Sequence, residues 1–265
     1  MATFSEAEFR SLLDTVDNRL KDIKASSDRL FDRSNRALAL LPAGLSDGLH
    51  DTLVDLRDTL AKFFTEIGKL LLNPGWPPGL KSAAQTWTAS VGGPISGLSA
   101  QLGTDQLRID NFWRGPAADA YASTLPAQRK AIDAIKQTTD LLDSTLTKIA
   151  NGIYALWAAI AIALLQFAVE LGGESAAAAT GVGAPPAAGA AGVSTAKTVL
   201  IVATLCAGFT TYISLVIDGM TTMRQTLTAD SPFPNGRWPH STTSDFSDGS
   251  LNDGDTTDWR INTHD

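Results

Sequence analysis

The chain has little of what enzymes and disulfide-stabilised proteins are built from. Its 265 residues include a single cysteine, Cys206, so no disulfide can form within the chain. Three histidines are present, and their spacing does not suit zinc. The sequence also contains no Gly-x-Ser-x-Gly motif, phosphate-binding loop or dinucleotide fingerprint. We therefore expect a protein that is not an enzyme and has no catalytic residues, cofactor or metal site.

Aromatic and charged residues are scarce as well. Aromatic side chains make up 7% of the chain and charged ones 18%, whereas 44% of the residues are hydrophobic. A core filled by Ala, Leu and other small residues favours helices over strands. The formal net charge of −7 argues against a nucleic-acid partner, which would require a basic face. Residues 1–10 lack the basic and apolar regions of a secretory signal peptide, so export would need another route.

Apolar residues recur at spacings of three and four in four stretches of the first 150 residues, as they do in amphipathic helices. Ser5 and Glu8 form a capping box, which marks the start of the first helix. Pro42 separates this helix from a second one, which ends at 73–75. We predict an all-α fold, an elongated antiparallel bundle of long helical hairpins, in which residues 1–75 form an N-terminal amphipathic hairpin.

The next two helical patterns, in residues 76–150, meet at a turn with a distinctive sequence. Gly115 allows the backbone to reverse, and Pro116 suits the first turn of the following helix. Trp113 is placed to cover the open end of the hairpin, and the small residues after Pro116 allow close helix packing. We predict a helical hairpin over 76–150 with its turn at Trp113–Gly115, a motif completed by Tyr121.

This motif, Trp-x-Gly-Pro-Ala-Ala-x-Ala-Tyr over residues 113–121, resembles that of the WXG superfamily. These are small helical hairpins exported by type VII secretion systems of actinobacteria and firmicutes. The resemblance covers about 76–150 by motif and extends to about 228 by layout alone. It implies a secreted or cell-envelope protein that acts through helical-bundle or coiled-coil assembly. The partners it implies are the type VII machinery and either a small WXG-type helical protein or further copies of this chain.

The chain departs from the family in its signal. Substrates of this family or their partners carry Tyr-x-x-x-Asp/Glu after the hairpin. Here the residues four positions after the three tyrosines are apolar: Leu125, Ala158 and Val216. Export would then depend on a partner that carries the signal. The chain also carries a second hairpin, in 5–72, which could cover the apolar stripe of the WXG-like hairpin. In this respect it is similar to fused relatives of the paired PE and PPE proteins.

Residues 151–228 are predicted to form a hydrophobic helical hairpin. Its two apolar runs, 153–171 and 199–217, are long enough to span a bilayer, and an Ala-, Gly- and Pro-rich loop over 172–196 joins them. One alternative is therefore an integral membrane or membrane-inserting protein, in which protonation of Glu170 controls insertion. The other is a pair of core helices buried by the amphipathic ones. The residues that mark the possible membrane-inserting hairpin are Ile153, Trp157, Glu170, Val199 and Ile217.

Residues 229–265 combine many aspartates with Pro, Gly, Ser and Thr, which predicts a disordered acidic tail. A further alternative for the whole chain is the carrier half of a polymorphic toxin. In that case the toxin domain itself is lacking, since this tail is too short to build a catalytic domain.

Overall fold

The structure is a computed structural model that describes residues 5–40, 42–102, 113–114, 116–180, 183–229, 231–239 and 260–261. Within these ranges the regular structure is helical apart from one pairing of two-residue strands, which confirms the predicted all-α fold. The described α-helices are α1 (Glu6–Leu38), α2 (Ala43–Leu72), α3 (Pro77–Trp87), α4 (Gly93–Gln101), α5 (Pro116–Ala178) and α6 (Ala184–Thr228). The strands are β1 (Trp113–Arg114) and β2 (Arg260–Ile261).

The first helix begins at the predicted capping box. The Glu8 N–H donates to Ser5 Oγ at 3.2 Å, and the Ser5 N–H donates to Glu8 Oε2 at 2.5 Å. Two backbone donors that a helix start leaves unpaired are thereby satisfied. The buried apolar side chains of α1 then recur at every seventh position: Phe9, Val16, Ile23, Leu30 and Ala37.

In α2 the buried side chains alternate at spacings of four and three, the a and d pattern of a coiled coil. They are Leu49, Leu53, Leu56, Leu60, Phe63 and Ile67. The two helices are joined by a short connection at residues 39–42 and contact each other. The predicted N-terminal hairpin is therefore present as α1 and α2.

A π-helical segment, Thr88–Gly92, lies between α3 and α4. The Gly93 N–H bonds to the carbonyl of Thr88, five residues earlier, instead of four. Pro94 follows immediately and has no N–H to offer the α-helical ladder. The interruption that Gly92, Gly93 and Pro94 indicate in the sequence is thus a widened helical turn.

The loop predicted over 172–196 is mostly helix, so that prediction is wrong. Helix α5 continues to Ala178 and α6 begins at Ala184, which leaves residues 179–183 as the connection. Alanine has the highest helix propensity, so the many alanines outweigh the cost of Gly172 and Gly173. Pro185 lies in the first turn of α6, where a missing N–H is harmless.

The chain divides into two compact units, each made of two chain segments. The first unit comprises Met1–Gly79 and Ile149–Ser214, and the second comprises Leu80–Lys148 and Leu215–Asp265. The first unit therefore combines the predicted N-terminal hairpin with most of the predicted hydrophobic hairpin.

Ring contacts show how the helices of the first unit are arranged. Phe9 of α1 lies 5.3 Å from Tyr154 of α5, and Phe63 of α2 lies 5.6 Å from Phe167 of α5, between ring centroids. Further along, the Arg33 Nη1 of α1 donates to the carbonyl of Ser175. Arg33 follows Phe9 and Ser175 follows Tyr154, so α1 is parallel to α5. The order is reversed for α2, because Phe63 contacts Phe167 whereas the later Pro74 carbonyl accepts from the earlier Trp157, so α2 is antiparallel to α5.

In the second unit, part of the predicted disordered tail is described with definite structure. A 3-10 turn, Pro234–Gly236, follows α6, and the Gln128 side-chain amide donates to the carbonyl of Pro239 at 3.0 Å. The strand β2 also lies within the predicted tail. Most of the predicted tail, 240–259 and 262–265, lies outside the described residues.

Candidate functional site

The turn motif is described only in part. Trp113 and Arg114 form β1, which pairs antiparallel with β2 so that Trp113 is opposite Ile261. Pro116 begins α5, as its fixed backbone angle predicts, and Tyr121 is half-buried one turn later. Gly115, residues 103–112 and the side-chain surroundings of Trp113 lie outside the described residues. The sequence did not predict the strand pairing, because two residues carry no periodic pattern.

The helices on either side of this motif approach each other closely in the second unit. A Cβ built on Gly92 would lie 2.9 Å from Cγ2 of Thr139 in α5, closer than two carbons can pack. Glycine at this position therefore allows the two helices to lie as close together as they do. Thr139 is buried, and its hydroxyl donates to the carbonyl of Ile135 within its own helix, so this polar group is hydrogen-bonded locally.

The first predicted membrane run belongs to the core of the first unit on one face. Ile153 is buried, and Trp157 is 2% exposed. The Trp157 Nε1–H donates to the carbonyl of Pro74 at 2.9 Å, so the ring is both packed and hydrogen-bonded. Gly75 follows with a φ of +75°, and a Cβ there would lie 3.0 Å from Ile153, so glycine is favoured twice over.

The opposite face of the same run carries exposed apolar side chains at helical spacing. They are Ile162, Leu165 and Val169 of α5. The 18-residue window of highest hydropathy in α5 has a mean hydropathy of 2.0, and 33% of it is buried. This run therefore supplies a core face and leaves a second, apolar face uncovered.

The second predicted run has few fully buried residues. The corresponding window of α6 has a mean hydropathy of 2.1, and only 6% of it is buried. Val199 is 37% exposed, Leu200 68% and Ile217 48%. Within the described chain, the amphipathic helices therefore do not bury α6 as they bury one face of α5.

Two apolar grooves flank the contact between α5 and α6 in the first unit. Their volumes are about 460 Å³ and about 390 Å³, and Leu156 and Phe209 line both of them. Gly152 lets the helices approach, because a Cβ there would meet the Tyr212 ring. The helix pair is thus in contact at a narrow seam, with apolar space on each side.

Charge is nearly absent from this helix pair. We call residues 149–214, which lie within the first unit, the apolar hairpin. Its charged side chains are Glu170, Glu174 and Lys197. Lys197 Nζ bonds Glu170 Oε1 at 2.8 Å, and the Ser194 hydroxyl donates to Glu174 Oε1 at 2.6 Å. The α5–α6 register thus brings all the charges of the hairpin to one level.

The buried carboxyl in this cluster is that of Glu174, whereas the sequence points to Glu170 as the group whose protonation controls insertion. Within the described part of the chain, Oε2 of Glu174 is buried and has no hydrogen-bond partner. Burial raises the pKa of Glu174 above its ordinary value, the Ser194 hydrogen bond lowers it, and the charge of Glu170 raises it. Sequence reasoning missed Glu174 because only the register of α6 decides which carboxyl the lysine pairs with.

The part of the chain that the structure describes contains no group of three or more His, Cys, Asp or Glu side chains able to hold a metal ion. Comparisons with family models, with curated proteins and with solved structures found no match to this chain.

Proposed function

We propose that this protein is a non-enzymatic helical-bundle protein that associates with a membrane through its apolar hairpin. The observation that carries the proposal is the exposure of α6, whose most apolar window is only 6% buried. A bilayer core about 30 Å thick is spanned by about 20 helical residues. Helix α6, with 45 residues, exceeds that length.

The arrangement of the hairpin also supports a lipid-facing role. Both helices satisfy their own backbone hydrogen bonds, which is the condition for entering hydrocarbon. The bonding pattern extends to side chains, because threonine hydroxyls of α6 such as Thr204 and Thr210 donate to carbonyls one turn earlier. These polar side chains therefore present no unpaired donor to an apolar surrounding.

Flotation of the full chain with lipid vesicles tests this proposal. We expect the wild-type protein to float with the vesicles, and Leu200→Glu to weaken flotation because it places a charge on the exposed face of α6. Val54→Glu is the matched control, since Val54 is also an exposed apolar residue but lies on α2. Absence of lipid-bound wild-type protein at both pH 7.5 and pH 5 would contradict the proposal.

A second candidate function is that of a type VII secretion substrate of the WXG superfamily. The sequence of the turn motif favours it, and the close approach of Gly92 to Thr139 supports a tight hairpin on both sides of that turn. The two functions are compatible, because an exported helical protein can act at a membrane. In this proposal the secretion machinery and a small WXG-type partner recognise the hairpin.

Export assays in a type VII-competent bacterium test the second candidate. We expect the protein in the medium or envelope without cleavage, and we expect deletion of the secretion ATPase to retain it in the cell. Trp113→Ala should reduce export while the helical circular dichroism spectrum is unchanged. Export that persists without the ATPase would contradict this candidate and leave the membrane proposal untouched.

A further inference from the structure

The charges of the apolar hairpin form a single cluster at one level of the helix pair. Glu170 and Glu174 lie on successive turns of α5, and Lys197 and Ser194 face them from α6. On either side of the cluster the hairpin carries no charged residue, over 149–169, 175–196 and 198–214. Entry of this hairpin into any apolar medium therefore depends on the state of one small cluster.

The two carboxyls of the cluster are not equivalent. Glu170 has an ion pair with Lys197, and its side chain is 35% exposed. Glu174 has a hydroxyl as its partner on Oε1, and its Oε2 is buried without a partner in the described chain. The pair of Glu170 and Lys197 is neutral as a whole, so the unbalanced negative charge of the hairpin is that of Glu174.

The helices packed around Glu174 offer it little positive charge. From α1, the Arg33 Nη1 donates to the carbonyl and hydroxyl of Ser175, the residue after Glu174. From α2, every charged side chain is exposed, and the side chains turned inward are apolar. From α6 the charged group is Lys197, which is bonded to Glu170. Loss of the Glu174 charge therefore breaks no ion pair.

We propose that protonation of Glu174 is the step that admits the apolar hairpin to a lipid bilayer. The inference rests on the membrane association proposed above and identifies the group whose protonation controls that association. With Glu174 neutral and Glu170 still bonded to Lys197, the hairpin has no net charge. An unpaired carboxylate in hydrocarbon is costly, whereas a neutral carboxyl that keeps a hydrogen bond is tolerated.

The local environment favours this protonation. Because burial raises the pKa of Glu174, its carboxyl takes up a proton at a higher pH than an exposed glutamate does. The bond from the Ser194 hydroxyl need not be lost, since a protonated carboxyl still has an acceptor oxygen. The hairpin can thus change its net charge without a change in its helix packing.

Flotation with neutral phosphatidylcholine vesicles at pH 7.5 and pH 5 tests the inference on the full chain. We expect more lipid-bound wild-type protein at pH 5, by at most about tenfold per pH unit, because one proton is taken up. Glu174→Gln mimics the protonated carboxyl. It should bind vesicles at pH 7.5 at least as strongly as the wild type does at pH 5, and its binding should not change with pH.

One matched variant separates this position from a general effect of charge. Glu66→Gln removes one negative charge from the exposed surface of α2. It should keep the pH dependence of the wild type. Circular dichroism at both pH values verifies that each variant keeps its helices.

The outcomes distinguish this inference from the proposal beneath it. If no variant floats at either pH, membrane association itself is wrong and the inference with it. If all variants float equally at both pH values, the hairpin binds lipid but Glu174 does not control it. The inference is also overturned if Glu66→Gln abolishes the pH dependence as fully as Glu174→Gln does.

Discussion

At the scale of single residues, Trp157 connects the core of the first unit to the chain reversal after α2. Its ring is 2% exposed, and its indole N–H bonds the Pro74 carbonyl. Trp157→Ala should lower the free energy of unfolding by about 3–5 kcal/mol through the cavity it leaves. Trp157→Phe should lower it by about 1–3 kcal/mol, because the carbonyl loses its partner. Urea denaturation followed by circular dichroism measures both, and a wild-type value for Trp157→Phe would show that the hydrogen bond adds no stability.

Two buried serines in α1 offer a matched comparison. Both occupy positions of the apolar seam, but the Ser27 hydroxyl donates to the Ile23 carbonyl at 2.8 Å. The Ser34 hydroxyl is fully buried and has no partner among the described residues. Ser34→Ala should therefore raise the free energy of unfolding by about 1 kcal/mol, the burial cost of an unpaired hydroxyl. Ser27→Ala should gain less, and the reverse order in a denaturation series would contradict this explanation.

The Glu174 carboxyl should also make stability depend on pH. Its pKa is higher in the folded chain than in the unfolded one, so the folded chain binds the proton more tightly. The stabilisation is complete below the unfolded pKa and is lost as pH rises through the folded pKa. Glu174→Gln should remove this loss, so its thermal midpoint should change less between pH 5 and pH 8 than that of the wild type. Glu66→Gln, on the exposed surface, should retain the wild-type slope.

At the scale of elements, the π-helical turn brings Gly92 against α5. A methyl group at this position would collide with Cγ2 of Thr139, so Gly92→Ala should destabilise the protein by about 1–3 kcal/mol despite the better helix propensity of alanine. Gly97→Ala in α4 is the control. No atom lies within 4 Å of its added Cβ, so it should stabilise by about 0.5–1 kcal/mol. Restoration of stability in Gly92→Ala by Thr139→Ser, which removes the methyl group, would identify the contact responsible.

The elements also show what local sequence can and cannot predict. The seams of α1 and α2 follow from spacing alone, because each buried side chain recurs with the period of the helix. The ends of α5 and α6 within residues 172–196 cannot be predicted from spacing, because Ala, Gly and Pro together suit both a loop and the ends of helices.

The candidate site was predictable to a similar degree. The apolar runs are evident from composition, and their length was enough to raise the possibility of a membrane. The choice of Glu174 over Glu170 was not, since it depends on how α6 is aligned along α5. The pairing of Trp113 with Ile261 was equally hidden, because it joins residues far apart in a chain with no other described strands.

At the scale of the whole molecule, the exposed apolar surface of α6 should control the behaviour of the protein in water. An apolar patch of this kind promotes association when no lipid is present. We expect light scattering to report a mass above the 27.9 kDa of one chain in plain buffer, and one chain mass in a mild detergent. The double variant Leu200→Glu and Leu215→Glu should be smaller in plain buffer than the wild type. A wild-type monomer without detergent would contradict this expectation.

Because each unit is built from two distant segments of the chain, its two parts are synthesised at different times. Helices α1 and α2 are complete in the chain by Leu72, but the segment of α5 and α6 with which they form the first unit is complete only at Ser214. At ordinary rates of synthesis of about 5–20 residues per second, the intervening chain takes roughly 7–30 s to make. During that interval α1 and α2 have been synthesised, but the segment that buries their apolar side chains in the first unit has not. The newborn chain is therefore most open to capture by a chaperone or an export partner well before α6 has been made.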